Sequence, residues 1–358
     1  MTGPDSETDE VAAEPWPEPL PWQRDTRRTL LRGRARDHHA WLLHGQAGLG
    51  KRILAVHLAQ DLLCESPTAD GLACGSCDGC RYVAAGTHPD LRRVEPWRIE
   101  ADGSRAPLQE IGIDAVRDLT AFTQVTSHRR GAKVALVVPA ERLTHEAANA
   151  LLKTLEEPPP GTALLLVSHQ PGRLLATVAS RCLRIAVPRP SPPEALAWLA
   201  SRGVRRGEAA LALAGGAPLA ALGLATDGRA DERAAWFDSL SRPERIDPYR
   251  LGASVDAGER SERKARLELA LDALIAWTAD LARVAAGGAP QRLPERADAL
   301  AALAPRLARV ALCRYHQAVV FQRANLARPL NPRLVAESLA HAYRDLFAPA
   351  GPAASKPR

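Results

Sequence analysis

The sequence predicts an α/β domain followed by an all-α region. Three observations support this fold class. A glycine-rich loop lies between an apolar strand and a helix, strand and helix patterns alternate from there to about residue 187, and no strand pattern recurs after the proline-rich linker 188–190. Alternating strands and helices are typical of a parallel sheet that helices cover on both faces.

Length and composition set broad limits on function. The chain has 358 residues, enough for two or three domains, and no apolar run in it approaches the ~20 residues of a membrane span. The first twenty residues are acidic and proline-rich and lack the pattern of a signal peptide, so we expect a cytoplasmic protein with disordered ends at 1–21 and 349–358. The net charge of +6 permits nucleic-acid contact but does not predict it.

The glycine-rich loop, residues 45–52, has the sequence GQAGLGKR. In a P-loop of this pattern the glycines let backbone N–H groups point at phosphate oxygens, and the lysine reaches the outer phosphates. The next residue is normally Ser or Thr, whose hydroxyl binds Mg²⁺, but here it is Arg52. We therefore predict a degenerate P-loop without hydrolysis, and a glycine-rich turn without any phosphate is the alternative. The candidate nucleotide-binding residues, whose retention of nucleotide the sequence leaves open, are Gly45, Gly48, Gly50 and Lys51.

Four of the six cysteines lie together, at Cys64, Cys74, Cys77 and Cys80. In a reducing compartment such clusters are more often metal ligands than disulfides. Short gaps containing glycine allow tight turns, and four thiolates suit a closed tetrahedral Zn²⁺ site with no open position for catalysis. We predict a structural zinc module over residues 64–80, and redox-active cysteine pairs are the alternative.

The elements of the first domain follow from apolar periodicity and turn residues. The pattern predicts helices over 22–37, 53–63, 111–126, 144–157 and 173–179, and strands over 40–44, 91–95, 133–138, 162–168 and 183–187. The helix over 144–157 has the clearest apolar stripe. Thr144 is suited to cap it, and the prolines at 158–160 end it.

After the linker the sequence predicts helices alone. Ser191 opens a capping-box pattern, and a small helical unit extends to about residue 228 with an interruption at 215–216. A longer helical region follows to residue 347, with Asn331 suited to cap its last helix. Six residues spaced by four and three predict a packing seam on one long helix, namely Leu267, Leu271, Leu274, Thr278, Leu281 and Ala285.

Four motifs in this order and spacing resemble the AAA+ clamp-loader family, and within it the delta-prime subunits of bacterial DNA polymerase III clamp loaders. They are the P-loop, the cysteine module, the run NALLKTLEEPP at 149–159 and the triplet Ser-Arg-Cys at 180–182. The resemblance is specific over 22–187 and architectural beyond. It implies an AAA+-type P-loop domain at 22–188 that contains the zinc module, a small helical lid domain at 189–229 and a helical collar (oligomerisation) domain at 230–348.

The resemblance also implies an inactive nucleotide site. In the family's ATPase subunits, the strand that corresponds to 134–137 ends in two acids that order Mg²⁺ and activate water, whereas Val138 and Pro139 stand at those positions here. The ATPases carry a nucleotide-sensing arginine where this chain has residues 217–219, Ala-Pro-Leu. With Arg52, three parts of the hydrolytic machinery are missing.

The Ser-Arg-Cys triplet is retained in this chain. In the resembling family its arginine enters the ATP site of the neighbouring subunit, where a guanidinium stabilises charge on the transferring phosphoryl group. We expect Arg181 to act in trans as this arginine finger, and an ordinary surface ion pair is the alternative. Lys153 and Glu156 have the spacing of a solvated pair on an exposed helical face.

By this resemblance, the chain is a non-hydrolysing subunit of a hetero-pentameric clamp loader in a DNA polymerase (nucleotidyltransferase) holoenzyme. Its partners are motor subunits (gamma or tau) and a delta subunit, and the complex loads the sliding clamp onto primed DNA in replication. Two other interpretations are an active P-loop ATPase and a zinc-dependent DNA-binding module with a vestigial nucleotide fold. ATP turnover by the isolated chain would identify the first, and chelation-sensitive DNA binding would identify the second.

Overall fold

The structure, a computed structural model, describes residues 16–32, 38–99, 105–129, 132–326 and 331–348. Of the ends expected to be disordered, 1–15 and 349–358 lie outside these residues, as does 33–37 of the first predicted helix. Residues 16–21 of the expected disordered extension are described, and Leu20 among them is buried, because this stretch packs on the first unit. The chain divides into two compact units, Met1–Pro190 and Ser191–Arg358. Among the described residues, no helix is both long and apolar enough to cross a membrane.

The first unit alternates helices and strands. Its elements are α1 (Arg24–Leu31), β1 (Ala40–His44), α2 (Lys51–Leu63), α3 (Asp78–Ala85), β2 (Leu91–Val94), β3 (Trp97–Ile99), β4 (Arg105–Pro107), α4 (Ile113–Gln124), β5 (Lys133–Val137), α5 (His145–Glu156), β6 (Thr162–Ser168), α6 (Ala176–Ala179) and β7 (Leu183–Ala186).

Five of these strands form one parallel sheet in the order β2-β5-β6-β1-β7. This confirms the predicted parallel sheet, and each strand end lies within one residue of its predicted position. The central strands β5 and β6 are buried throughout, as expected of a sheet with two covered faces. On one face Leu42 and Val137 pack with Leu119 of α4 and Leu151 of α5, and α2 contacts β5 and β6.

Two parts of this unit differ from the predictions. The segment predicted as a helix over 173–179 is a 3₁₀ turn, Pro171–Arg173, followed by the four-residue α6, because Leu174 and Leu175 have extended backbone between them. The antiparallel pair of β3 and β4 and the helix α3 were not predicted.

The second unit is helical throughout its described residues. It contains α7 (Pro192–Ser201), α8 (Glu208–Leu213), α9 (Pro218–Thr226), α10 (Ala230–Leu240), α11 (Pro248–Asp256), α12 (Arg260–Ala285), α13 (Ala297–Leu303), α14 (Arg309–Ala324) and α15 (Pro332–Asp345). The predicted caps form: Ser191 Oγ accepts from Glu194 N, and Asn331 Oδ1 accepts from Leu334 N. The division of this unit into a lid and a collar stays a prediction.

The core of the second unit is centred on α12. The seam residues of that helix are buried except Ala285, which is partly buried. Trp277 on the same helix is fully buried, and its Nε1 donates to Tyr343 Oη at 2.7 Å. Tyr343 Oη in turn donates to Leu240 O at 2.9 Å. This chain of hydrogen bonds joins α12, α15 and the end of α10, so the two large aromatic residues are buried without leaving these polar groups unpaired.

Candidate functional site

The glycine-rich loop joins the end of β1 to the start of α2, which is the strand–loop–helix arrangement that a P-loop requires. Gly45, Gly48 and Gly50 have φ values of 144°, 82° and 82°. Residues with a Cβ rarely adopt these angles, so the glycines allow the tight course of the loop. Gly50 is the N-cap of α2, and its carbonyl accepts the first helical bond from Leu54 N at 2.9 Å.

Lys51 is folded back onto the loop from which it projects. Its Nζ donates to Gln46 O at 2.6 Å, and the residue is 2% exposed. Burial lowers the pKa of Lys51 to about 8, although the negative charge of Glu141 favours the protonated amine. The amine that would meet a phosphate is therefore bonded to the loop's own carbonyl.

Three side chains outside the loop hold it in this form. Gln23 Nε2 donates to Gly50 O at 2.9 Å and to Leu49 O at 3.1 Å, and Trp22 Nε1 donates to Leu49 O at 3.3 Å. On the other side, Arg189 Nη2 donates to the Gln46 side-chain oxygen at 2.8 Å. These contacts could not be predicted from sequence patterns, because they join residues 26 to 143 positions apart.

Arg52 occupies the position of the magnesium-binding hydroxyl. Its Nε donates to Glu95 Oε1 at 3.0 Å, beyond the end of β2. The chain thus has a paired guanidinium where a P-loop ATPase has a small neutral hydroxyl, and this group repels a cation rather than coordinating it.

Two polar residues that the sequence analysis did not single out lie near Lys51. Glu141 follows β5 and His169 follows β6, and the carboxyl ends of these neighbouring parallel strands share one edge of the sheet. Glu141 Oε1 accepts from His169 N at 2.9 Å, while its Oε2 is buried without a hydrogen-bond partner among the described residues. Burial lowers the pKa of His169, and Lys51 adds to the shift. Glu141 therefore supplies a carboxylate near the lysine although Val138 and Pro139 cannot.

Arg181 lies two residues after α6 and is about one third exposed. Its Nε donates to Glu156 Oε1 at 2.8 Å, and its Nη1 donates to Thr177 O at 3.0 Å. The expected pair of Lys153 and Glu156 does not form between these two described residues, because Glu156 is paired with Arg181 instead. The guanidinium is fixed in direction and remains accessible from solvent.

The four clustered cysteines converge on one point. Their Sγ atoms all lie within 4.8 Å of one another, with Cys64 Sγ 3.7 Å from Cys74 Sγ and 3.8 Å from Cys77 Sγ. Four sulfurs bound to one Zn²⁺ at about 2.3 Å are about 3.8 Å apart in a regular tetrahedron. The donor set therefore fits a tetrahedral metal ion of this kind.

Backbone amides favour the ionised form of one of these thiols, that of Cys74. Hydrogen bonds from the amides of Ser76 and Cys77 lower the pKa of the Cys74 thiol to about 6. Burial raises the pKa of Cys64 and Cys80, so a shared cation is what allows all four thiols to ionise together.

The local backbone explains one of the glycines in the cysteine cluster. Gly79 lies in the first turn of α3, where a Cβ would be 2.6 Å from Leu63 O. A side chain at this position would push α3 away from the end of α2, which carries Cys64. Gly79 therefore keeps Cys77 and Cys80 close to Cys64.

Arg129 is a residue for which the sequence leaves contact with DNA open. It pairs with Glu65 inside the cysteine segment, and its guanidinium lies 4.9 Å from the centre of the Tyr82 ring. Its neighbour Arg130 lies outside the described residues. The observed side-chain contacts of Arg129 are thus with the cysteine segment and α3, and its amide donates to Asp90 Oδ2 at 2.8 Å.

Comparison with known proteins identifies relatives of this chain. A family model described as "DNA polymerase III, delta subunit" matches residues 28–191. DNA polymerase III subunit delta' of Pseudomonas aeruginosa is 46% identical over 226 residues, 62% of this chain and 66% of that protein. The delta' subunit of Escherichia coli is 40% identical over 210 residues, 57% of this chain and 60% of that protein. The delta' subunit of Yersinia pestis is 37% identical over 266 residues, 71% of this chain and 76% of that protein. The chain thus spans 66% and 60% of the length of the first two relatives, less than two thirds of each.

Proposed function

Because this chain belongs to the family of DNA polymerase III delta' subunits, we propose that it is a non-hydrolysing subunit of a bacterial clamp loader. In this role it joins motor subunits (gamma or tau) and a delta subunit in a hetero-pentameric ring. The ring uses ATP to place the sliding clamp on primed DNA. Two observations together support the proposal. The lysine of the P-loop is hydrogen-bonded to a carbonyl of the same loop, and the same unit carries an accessible arginine in the retained Ser-Arg-Cys triplet.

The absence of hydrolysis is supported by the contacts of the P-loop. A phosphate would have to displace the 2.6 Å bond between Lys51 Nζ and Gln46 O, and Mg²⁺ would meet the guanidinium of Arg52. Val138 and Pro139 offer no carboxylate to order the metal or activate water. Glu141 is the residue on which an ATPase interpretation would depend, and it already accepts a hydrogen bond from the amide of His169.

The role of Arg181 as an arginine finger is supported by its exposure and its weak tether. An exposed ion pair such as the one with Glu156 contributes about 0–1 kcal/mol. A phosphoryl group of a neighbouring subunit can therefore replace Glu156 at little cost, and the guanidinium can give it two parallel hydrogen bonds. A cation supplied across a subunit interface in this way stabilises the charge of the transition state.

As a further part of this proposal, the cysteine cluster is a structural zinc site. Cys64, Cys74, Cys77 and Cys80 use all four positions of a tetrahedral ion, so none is left for a substrate. The ion would order residues 64–80, where α3 is the one helix and most of the backbone is irregular. We also propose that α7–α9 form the lid and α10–α15 form the collar that assembles with partners.

Reconstitution tests this proposal. The full chain is mixed with purified motor and delta subunits, isolated by size exclusion, and assayed for ATPase activity with and without primed DNA. We expect a stable complex with DNA-stimulated turnover, and no turnover by the isolated chain above that of a Lys51→Ala control. Failure to join the complex, or Lys51-dependent turnover by the chain alone, would contradict the proposal.

A further inference from the structure

A cavity of about 730 Å³ opens in the helical unit beside α10, α11 and the turn that joins them. Its volume lies within the range of about 300–1,000 Å³ that is typical of ligand sites. Its apolar lining consists of Ala235 and Leu251, which are accessible, and of Trp236, Ile246 and Val255, which are buried. The cavity therefore has an apolar floor inside one structural unit, separate from the P-loop, Arg181 and the cysteines.

The rim of this cavity carries unpaired positive charge. Arg242, Arg245 and Arg250 line it and are exposed. None of their guanidinium groups has a hydrogen bond or an ion pair within the described part of the chain. Arg266 is a fourth lining arginine, and its Nη1 donates to Ala257 O at 2.6 Å. Unpaired guanidinium groups around an apolar floor favour a ligand that brings its own negative charges.

The acids of the rim do not neutralise these arginines. Glu232 pairs with Arg229 at 2.7 Å, and Asp238 pairs with Arg296. Asp247 caps α11 by accepting from Tyr249 N at 3.0 Å and Arg250 N at 3.3 Å. Glu232 and Asp238 are thus paired with arginines outside the lining, so that among the described residues four lining arginines face Asp247 as the one lining carboxylate without an ion pair.

We infer that this cavity binds an acidic peptide segment of a partner protein. Guanidinium forks bind carboxylates with two parallel hydrogen bonds, and aliphatic side chains of the segment cover the floor. A single strand of nucleic acid suits the cavity less, because base stacking needs an accessible aromatic ring. Trp236, the aromatic residue of the lining, is 7% exposed. The inference does not depend on the proposed role in clamp loading.

Fluorescence anisotropy with the full chain tests the inference. The probe is a fluorescein-labelled peptide of about twelve residues in which Leu alternates with Glu and Asp, and the comparison peptides replace each acid by Lys or each Leu by Ser. We expect saturable binding of the first peptide, no binding of the Lys peptide and binding of the Ser peptide weakened several-fold. The double variant Arg245→Gln/Arg250→Gln should weaken binding about tenfold or more, because two charged contacts are lost.

Matched variants separate the cavity from general basic charge. Arg205 and Arg206 are exposed on the same unit outside the cavity, so Arg205→Gln/Arg206→Gln should leave affinity unchanged. Ser254→Trp places a bulky side chain on the lining without removing charge and should also weaken binding. Equal affinity of the Arg245→Gln/Arg250→Gln variant and the unmodified chain would overturn the inference. Displacement of the peptide by a short single-stranded DNA that binds more tightly would overturn it in favour of a phosphate site.

Discussion

The Arg181 guanidinium is held by the carboxylate of Glu156, whose Oε1 lies 2.8 Å from Arg181 Nε and 2.5 Å from Nη2. Glu156 is the last residue of α5, and Arg181 lies just beyond α6. The contact therefore joins the ends of two helices through residues that are 25 positions apart in the sequence. It sets the direction of the cation at the surface of the first unit.

Loss of Arg181 should impair the proposed complex and leave the subunit folded. In reconstituted clamp loader, we expect Arg181→Ala to lower DNA-stimulated ATPase and clamp loading about tenfold or more. We expect a smaller effect than the ~10³–10⁵-fold rate enhancement of other arginine fingers, because the other ATP sites of the proposed ring keep their own arginines. Phosphate release and clamp loading on primed DNA are measured after size exclusion has established assembly.

The control for this variant is Arg173→Ala. Arg173 is exposed near α6 and donates to Gln170 at 3.3 Å, so its removal lowers the surface charge equally without touching the triplet. Arg181→Lys keeps the positive charge but lacks the planar set of guanidinium N–H donors, so it should have an activity between those of Arg181→Ala and the unmodified complex. Unchanged ATPase activity in the complex with Arg181→Ala would contradict the proposed role of Arg181 as an arginine finger.

Glu156→Gln tests whether the ion pair positions the finger. We expect kcat of the complex to fall less than in Arg181→Ala, with KM for ATP unchanged, because Glu156 acts through the arginine and not on the nucleotide. Unfolding free energy should change by less than about 1 kcal/mol, as for other exposed pairs. Glu157→Gln, which alters the adjacent exposed acid, is the matched control, and an equal loss of activity there would rule out a specific role.

The strands and several helix caps of this fold could be predicted from the sequence. The strands were predicted closely because runs such as residues 134–137 are apolar throughout, and the caps at Ser191 and Asn331 follow local rules. The helix α3 was missed because its cap is a sulfur: Cys77 Sγ accepts from Cys80 N, and cysteine is not among the usual cap residues.

The remaining features of the site depend on contacts across the fold. The spacing of Lys153 and Glu156 suggested a local pair, but folding brings Arg181 to Glu156 across 25 positions. Gln23 reaches the P-loop in the same way, and Glu141 approaches Lys51 only because β1, β5 and β6 are aligned in one sheet. Apolar periodicity carries no information about such partners, whereas the cysteine cluster was readable because its members are close in sequence.

Restoring the missing hydroxyl should not restore catalysis. We expect Arg52→Thr in the isolated chain to hydrolyse no ATP above background, because Lys51 remains bonded to Gln46 and no acid follows β5 at positions 138 and 139. Phosphate release with Mg²⁺ measures this. Arg52→Thr/Lys51→Ala is the control, and turnover that disappears in this double variant would show that the P-loop of this chain can hydrolyse ATP without an acid at positions 138 and 139.

Loss of the proposed zinc ion should destabilise the first unit. We expect about one zinc per chain by elemental analysis, and a lower melting temperature after chelation or in Cys77→Ser. A metal present at a thousandfold its Kd contributes about 4 kcal/mol, which sets the scale of the loss. Cys313→Ser is the control, because Cys313 is exposed and distant from the cluster in sequence. Full zinc content and unchanged melting in Cys77→Ser would contradict the site.

Tyr343→Phe should destabilise the helical unit although it removes a single oxygen atom. Without the hydroxyl, the buried Trp277 Nε1 loses its acceptor at 2.7 Å and Leu240 O loses its donor at 2.9 Å. An unsatisfied buried polar group costs about 1–3 kcal/mol, so we expect a loss of about 2–4 kcal/mol in urea unfolding followed by circular dichroism. Tyr249→Phe makes the same chemical change at a residue that is 62% exposed and should alter stability by less than about 0.5 kcal/mol. Equal stability of the two variants would mean that water or a shifted side chain satisfies the core groups, and that the hydroxyl of Tyr343 does not join α10, α12 and α15.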